Sequence, residues 1–181
     1  MKLSAQIIGL FAVAAFFLSY QQKKRKNIII WNVTSRILYI IQYIMLGAFE
    51  GAALDVLGTV SSFAAQKKDN RIIQKHLKLF VFIINSIIIC VGLLLYENIF
   101  SLFPIIGVIL HTSAFWLNEE KVIRIISLCG SPFWLVYNLA SCAYGSAIGD
   151  ILTMLSIAIA IYRYDIRQKN EFSAGLYMSI L

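Results

Sequence analysis

Long runs of apolar residues, separated by short polar stretches, follow one another along the whole chain. Most of these runs approach the roughly 20 residues that an α-helix needs to cross the hydrocarbon core of a bilayer. The pattern therefore predicts seven membrane-spanning helices, of which the third and the seventh are the shortest. They cover residues 3–20, 27–48, 51–65, 77–95, 99–117, 125–142 and 147–162.

Composition agrees with the apolar pattern. Hydrophobic residues make up 60% of the 181 residues, above the roughly 45–50% apolar content of a soluble domain. The seven runs leave little chain between them, so no soluble domain of any size fits. We predict an all-α membrane protein with a single transmembrane domain, 1–181.

Basic residues lie in alternate loops, and this placement predicts the topology. Fourteen of the 16 Lys and Arg residues form four groups, whereas the loops between those groups carry Glu50 and Glu97 and no basic residue. The groups are Lys23, Lys24, Arg25 and Lys26; Lys67, Lys68, Arg71, Lys75 and Lys78; Lys121 and Arg124; and Arg163, Arg167 and Lys169. The positive-inside rule puts these loops in the cytoplasm, with the amino terminus outside and a cytoplasmic tail over residues 163–181. The net charge of +7 therefore requires no nucleic-acid partner.

Two stretches of the chain share one pattern. LGAFEGAALDVLGTVS (46–61) and SCAYGSAIGDILTMLS (141–156) each carry a central aspartate, 95 positions apart, and QIIG (6–9) resembles PIIG (104–107). The first three spans, 3–65, thus repeat as the last three, 99–162, and 77–95 is a linker helix. Because a single linker helix returns the chain to its starting side, the two repeats are parallel.

The segments PIIGVILHTSAFW, LGAFEGAALDVL and SPFWLVYNLASCAYGSAIGD carry a family resemblance. With the spans around them they resemble the bacterial YgjV-type inner-membrane proteins. The three-plus-one-plus-three plan is similar to that of the SWEET, PQ-loop and PnuC-type transporter superfamily. The resemblance implies a SWEET-like bundle in the bacterial cytoplasmic (inner) membrane, and implies little about a substrate.

Four ionisable residues fall inside the predicted spans, where such groups usually face a protein interior or an aqueous cavity. We interpret Asp55 and Asp150 as an outer gate or cation site, with helix capping as the alternative, since each is expected about one turn inside its helix. Arg36 is expected about 10 Å deeper than Asp55, so an ion pair between them needs a long reach or a water. His111 is either a hydrogen-bonded core residue or a group that contacts substrate or carries a proton.

Polar and aromatic residues at equivalent depths complete a predicted substrate site near the midplane. Its residues are Arg36, Gln42, Tyr43, Asn85, His111, Trp134, Tyr137 and Asn138. Interhelical hydrogen bonding is the alternative role for the neutral members. Pro104 and Pro132 are expected inside helices, as static kinks or as hinges. Cys90, Cys129 and Cys142 lack metal-ligand spacing and are expected as buried, small apolar residues.

No catalytic motif is present: the chain has no HExxH, no GxSxG and no Walker loop. We therefore predict a protein that is not an enzyme and needs no cofactor or metal. The predicted function is transport of a small polar metabolite by alternating access, facilitated or ion-coupled, and Arg36 suits a substrate with a carboxylate or phosphate. The alternative is a non-transporting membrane protein that senses a ligand or scaffolds a partner. The expected partners of the protein are the lipid bilayer and a small-molecule substrate. A monomer suffices for this function, since both repeats are in one chain. The alternative of a homo-oligomer is not excluded by the sequence.

Overall fold

The computed structural model describes residues 2–167, and all regular secondary structure in that range is helical. A 3₁₀ turn, Ile99–Ser101, precedes the sixth of eight α-helices, and a π-helical segment, Ile161–Arg167, continues the last. The α-helices are α1 (Lys2–Tyr20), α2 (Arg25–Leu46), α3 (Phe49–Gln66), α4 (Arg71–Lys75), α5 (Leu77–Leu94), α6 (Leu102–Phe115), α7 (Glu120–Ala140) and α8 (Tyr144–Ala160). Most of the predicted tail, residues 168–181, lies outside the described residues.

Five of the described helices are long and apolar enough to cross a membrane: α1, α2, α5, α7 and α8 with its π-helical extension. The stretch Ile99–Phe115 is apolar but shorter. Helix α3 has 18 residues, but with Glu50, Asp55 and its glycine and serine residues it is not among these five. The prediction of an all-α membrane protein agrees with the described residues, and the count of seven spans stays a prediction.

Helix α7 shows the largest difference from the predicted bounds, because it begins at Glu120 and not at residue 125. Arg124, which we expected in a loop, is a buried helical residue. Its Nη1 lies 2.8 Å from Oδ1 of Asp165, and its Nη2 donates to the carbonyl of Gln22. Because Asp165 neutralises the charge of Arg124 within the protein, α7 includes Arg124 as a buried residue.

Six helices form a closed ring, which we call the six-helix ring. Each packs against two neighbours, in the order α1, α2, α3, α6, α7, α8 and back to α1. Helix α5 lies outside the ring, against α3 and α6. Large apolar side chains such as Leu10, Phe11 and Phe82 are exposed on the outside, whereas polar side chains such as Gln42 and Asn138 are buried. This distribution is typical of a bundle surrounded by lipid.

The turns that end α2 and α7 have the same backbone geometry. Gly47 and Cys142, 95 positions apart, both adopt left-handed backbone angles, with φ of 79° and 56°. In each turn this residue donates to the carbonyl three positions earlier, at 3.2 Å, and the next amide donates to the carbonyl five positions earlier, at 2.9 or 2.8 Å. Such a turn satisfies the free carbonyls of a helix end. It sets the point at which α3 and α8 begin.

Basic side chains close the opposite end of the ring, which we call the basic end. Arg25 donates to the carbonyl of Ala65, at the end of α3, and to that of Leu117 at 2.9 Å. Lys68 donates to the carbonyls of Trp116 and Leu117, at 3.0 and 2.8 Å. Helix carboxyl ends carry partial negative charge and attract cations. Burial, and next the charge of Arg25, lower the pKa of the Lys68 amine. Arg25 and Lys68, two of the basic residues from which the topology was predicted, therefore also stabilise helix ends.

The prediction that the cysteines are buried is wrong. Cys90, Cys129 and Cys142 are all exposed. Cys90 and Cys129 lie within α5 and α7, whose outward faces are otherwise apolar. A thiol is apolar enough to lie on such a face.

Candidate functional site

A small cavity of about 20 Å³ lies at the centre of the six-helix ring. Each of the six helices contributes at least one side chain to it, and all of these side chains belong to residues that are 7% exposed or less. The lining residues are Phe16, Ser35, Arg36, Tyr39, Tyr43, Asp55, His111, Trp134, Asn138 and Asp150. The volume is enough for about one water molecule. In this conformation the cavity is therefore too small for a metabolite.

Both aspartates and Arg36 lie at nearly the same depth. Arg36 is eleven residues after the start of α2 and Asp55 eleven residues before the end of α3, and these ends meet at the basic end. Each residue is therefore about 16 Å from that end, and Asp150 is about 15 Å from the end of α8. The expected depth difference of about 10 Å between Arg36 and Asp55 is wrong, because the prediction placed Asp55 from the outer end of the short α3, whereas both residues lie eleven residues from the basic end.

Helix capping does not explain the two aspartates. Asp55 lies six residues after Phe49, the first residue of α3, and Asp150 lies six residues after Tyr144 in α8. The capping position before each helix holds an alanine, with no side-chain acceptor. Capping hydrogen bonds and the helix dipole act in the first turn. The capping alternative is therefore wrong for both residues.

Arg36 and Asp55 form a direct ion pair across the interface of α2 and α3. Nη1 of Arg36 lies 2.5 Å from Oδ1 of Asp55, and both side chains are 4% exposed. Nε of Arg36 donates to Oδ1 of Asn32 at 3.0 Å. Gly58 makes room for the guanidinium, since a Cβ atom there would overlap Nη1. The ion pair between Arg36 and Asp55 is therefore formed directly, without the long reach or the water that we expected it to need.

Asp150, the counterpart of Asp55, has neutral partners instead. Its Oδ2 accepts a hydrogen bond from Nδ2 of Asn138 at 2.8 Å. Oδ1 of Asn138 in turn accepts from the hydroxyl of Tyr43 at 2.8 Å. Neither of the two ion pairs among residues 2–167 includes Asp150. The two equivalent carboxylates thus differ in whether a cation compensates them.

His111 and Tyr39 complete the cavity wall. Nε2 of His111 lies 2.9 Å from the carbonyl oxygen of Ser127, the hydrogen bond expected of a core histidine. The same ring lines the cavity, so both roles considered for it agree with its position. The hydroxyl of Tyr39 is buried and has no hydrogen-bond partner among the described residues. A buried hydroxyl without a partner is costly, which points to a water or ligand beside it.

Aromatic side chains separate the cavity from the end opposite the basic end. Tyr43 stacks on Trp134, with ring centroids 6.3 Å apart, and Tyr137 packs edge-on against both at 6.1 Å. We call these three residues the aromatic layer. The amide of Gly51 donates to the hydroxyl of Tyr137 at 2.9 Å. Beyond this layer lies an open depression of about 780 Å³ whose walls include Tyr137, Glu50 and Glu97.

Three of the residues predicted to contact substrate do not line the cavity. Gln42 accepts from the hydroxyl of Ser146 at 2.7 Å and connects α2 to α8. Tyr137 belongs to the aromatic layer. Asn85 lies in α5, outside the ring, where it donates to the hydroxyl of Ser113 at 3.2 Å. These positions favour interhelical hydrogen bonding for Gln42 and Asn85. The remaining predicted residues lie together: Arg36, Tyr43, Asp55, His111, Trp134, Asn138 and Asp150.

The sequence prediction omitted three cavity residues, Phe16, Ser35 and Tyr39. Tyr39 has a sequence signal, because it is the counterpart of Trp134 at the 95-residue offset. Ser35 donates to a backbone carbonyl of α1, and nothing in the pattern distinguishes it from other helical serines. Phe16 has no such signal either.

Of the two prolines, Pro132 lies inside a helix as expected, whereas Pro104 lies in a first turn. Pro104 is the third residue of α6, in its first turn, where a proline removes no helical hydrogen bond. The expectation that it lies inside a helix is therefore wrong. Pro132 lies in the interior of α7, where it leaves the carbonyl four residues earlier without its helical donor.

A family model supplies the comparison with known proteins. The model named Imp-YgjV, described as a bacterial inner membrane protein, matches residues 3–168. Neither a curated protein nor a solved structure matches the chain. Among the described residues, no group of three or more His, Cys, Asp or Glu side chains is placed to hold a metal ion.

Proposed function

We propose that this chain, which belongs to the Imp-YgjV family of bacterial inner membrane proteins, transports a small polar metabolite across that membrane by alternating access. One observation carries the proposal: all six helices of the ring contribute to a buried polar cavity that holds Arg36, Asp55 and Asp150. Ionisable groups at such depth are costly in a membrane and usually line a path for a substrate or an ion.

The proposed architecture has seven spans in a parallel, SWEET-like three-plus-one-plus-three repeat. Two reciprocal contacts between the halves support it. The amide of Gly51 donates to Tyr137, and Ser146 donates to Gln42. Gly51 and Ser146 are 95 positions apart, and so are Gln42 and Tyr137, so the second contact is the counterpart of the first with the halves exchanged. The matching turns at Gly47 and at Cys142 support the same plan, as does the position of α5 outside the ring.

Alternating access follows from the size of the cavity and from what covers it. A space of about 20 Å³ must widen to admit a metabolite. We assign the outer barrier to the aromatic layer, and the inner barrier to Phe115 and Trp116, both buried at the basic end. Trp116 donates to Ser61 across the α3–α6 interface, so this contact must break when the halves separate. Pro132 is the proposed hinge.

The substrate class follows from the charges that line the cavity. Arg36 suits a substrate with a carboxylate or phosphate group, if the substrate replaces Asp55 as its partner. We assign the basic end to the cytoplasm, so the amino terminus lies outside and the carboxyl terminus inside. A monomer suffices, because one chain supplies every lining residue of the cavity. We propose no catalytic role.

Ligand-induced stabilisation followed by uptake tests this function. Purified protein would be heated with a panel of carboxylates, phosphates and neutral polar metabolites, and each stabilising compound would be tested for uptake into proteoliposomes. Tyr43→Phe removes the hydroxyl that orients Asn138, and uptake should fall. Asn85→Ala, outside the ring, is the matched control and should keep the rate. If no compound stabilises the protein or enters the liposomes, the alternative of a ligand sensor or scaffold replaces transport.

A further inference from the structure

The charges that line the central cavity do not balance. Arg36 contributes one positive charge, Asp55 and Asp150 contribute two negative charges, and His111 is counted as a neutral imidazole. The guanidinium of Arg36 is already engaged by Asp55 and by Asn32. Asp150 is therefore the carboxylate without a compensating cation.

Among residues 2–167, the surroundings of Asp150 offer it no second positive charge. Of the helices packed on α8, α1 presents Phe16, and α7 presents Trp134 and Asn138. The titratable and charged groups that face it across the cavity are Arg36, Tyr39, Tyr43, Asp55 and His111. A carboxylate that is buried in low-dielectric surroundings without a counter-ion becomes neutral instead of staying charged.

A proton suits this site better than a metal ion. The side-chain amide of Asn138 donates to Oδ2, and a donor at that oxygen opposes a cation there. Metal ions such as Ca²⁺ and Mg²⁺ take six or more oxygen ligands, whereas the cavity has room for about one water. A proton needs one oxygen, and Oδ1 is the remaining one. Tyr39 lines the same cavity, and its buried hydroxyl has no partner in the part of the chain that the structure describes, which is the second, independent sign of a missing partner.

We propose that Asp150 takes up and releases the proton that drives the transport cycle, so that substrate moves together with a proton. On uptake, a proton from the bulk solution reaches Oδ1 through a cavity water, which gives one proton to Oδ1 and takes up another from the solvent side. The O–H bond that the water loses is thereby replaced, and the Asp150 carboxylate becomes a neutral carboxylic acid; release is the reverse. The coupling, though not the protonation, rests on the proposed transport function.

Competition for Arg36 connects the proton to helix movement. With Asp150 protonated, Arg36 and Asp55 balance each other, and the pair holds α2 against α3. When Asp150 loses its proton, a second carboxylate in the same cavity attracts the guanidinium and weakens that pair. That attraction connects α2, in the half formed by α1, α2 and α3, to α8 in the other half. Protonation of Asp150 removes the attraction and frees the two halves to move against each other.

Infrared spectroscopy tests the protonation without a substrate. In purified protein, the carbonyl band of a buried carboxylic acid should appear as the pH is lowered, within the range in which the protein stays folded. Asp150→Asn, nearly identical in shape, should abolish the band, and Asp150→Glu should retain one. The control Glu97→Gln removes a carboxylate from the open depression and should keep the band. Asp55→Asn frees Arg36 for Asp150 and should move the band to lower pH.

Three results would overturn the proposal: no band at any pH, a band that persists in Asp150→Asn, or a band that Na⁺ removes at constant pH. The last would make the site a sodium site. Coupling is measured separately, by uptake with an imposed proton or sodium gradient; a proton gradient should increase accumulation in the wild type and leave Asp150→Asn unchanged. A band without uptake of any compound would refute transport alone. Uptake whose extent does not change when a proton gradient is imposed would refute only the coupling.

Discussion

Replacing Arg36 by methionine tests the charge balance of the cavity most directly. Methionine keeps an unbranched apolar stem but removes the guanidinium and its charge, so Asp55 and Asp150 remain in the cavity with no cation. The ion-paired side chains are 4% exposed, so water screens the remaining charge little. Breaking a buried pair by removing one partner costs about 3–5 kcal/mol. We expect Arg36→Met to lose stability within that range.

Asp55→Asn removes the other partner of the same pair and should cost less. Arg36 then shares the cavity with Asp150 alone, so the charges balance, and the loss should be about 1.5–3 kcal/mol, the cost of a hydrogen bond to a charged group. In the double variant no charge of the pair remains, so it should be more stable than Arg36→Met by itself. The two effects are thus strongly non-additive, as expected for residues in contact.

Reversible unfolding in mixed detergent micelles would give the free energy of each variant. Asn85→Ala serves as the control, because Asn85 lies in α5 outside the ring. The reasoning fails if Asp55→Asn is as destabilising as Arg36→Met, or if the double variant loses the sum of the two single losses.

Three further predictions concern packing, the aromatic layer and the topology. Gly149→Ala should cost about 1–3 kcal/mol in unfolding measurements, since its Cβ would overlap Val13 where α8 meets α1; an unchanged midpoint would contradict this contact. Tyr137→Phe should cost about 1–3 kcal/mol, because it leaves the buried amide of Gly51 without its acceptor; slowed hydrogen exchange at that amide would contradict it. Cys142 is exposed in the turn after α7, so an impermeant maleimide should label it on intact cells when the other two cysteines are serine. Labelling only after lysis would reverse the topology.

The helices could be predicted from the sequence because apolar runs of this length have few alternatives. Most helix ends lie within three residues of the predicted ones. The exception, the start of α7, depends on Arg124 finding Asp165 some 40 positions later, and no local pattern contains that contact. The closed order of the ring also depends on which helices pack together, which hydropathy does not encode.

The candidate site could be predicted in its members but not in its pairings. Charged residues inside apolar runs identified Arg36, Asp55 and Asp150, because lipid makes such residues costly. Their roles depended on depth, and the prediction separated Asp55 from Arg36 because it placed Asp55 from the outer end of α3, a helix of 18 residues. Asn85 was included although it lies outside the ring, since an amide in an apolar run gives no sign of which neighbour it faces.

The turns at Gly47 and at Cys142 share their torsion angles and hydrogen bonds but not their residues. Glycine adopts the left-handed conformation freely, whereas a residue with a Cβ atom accepts strain there. Cys142 therefore occupies a left-handed backbone position that suits glycine better. If the two halves descend from one ancestral unit, torsion angles at paired positions record that descent where the amino acids no longer do. Comparing backbone angles between the halves of other small membrane proteins would then reveal duplications that sequence comparison misses.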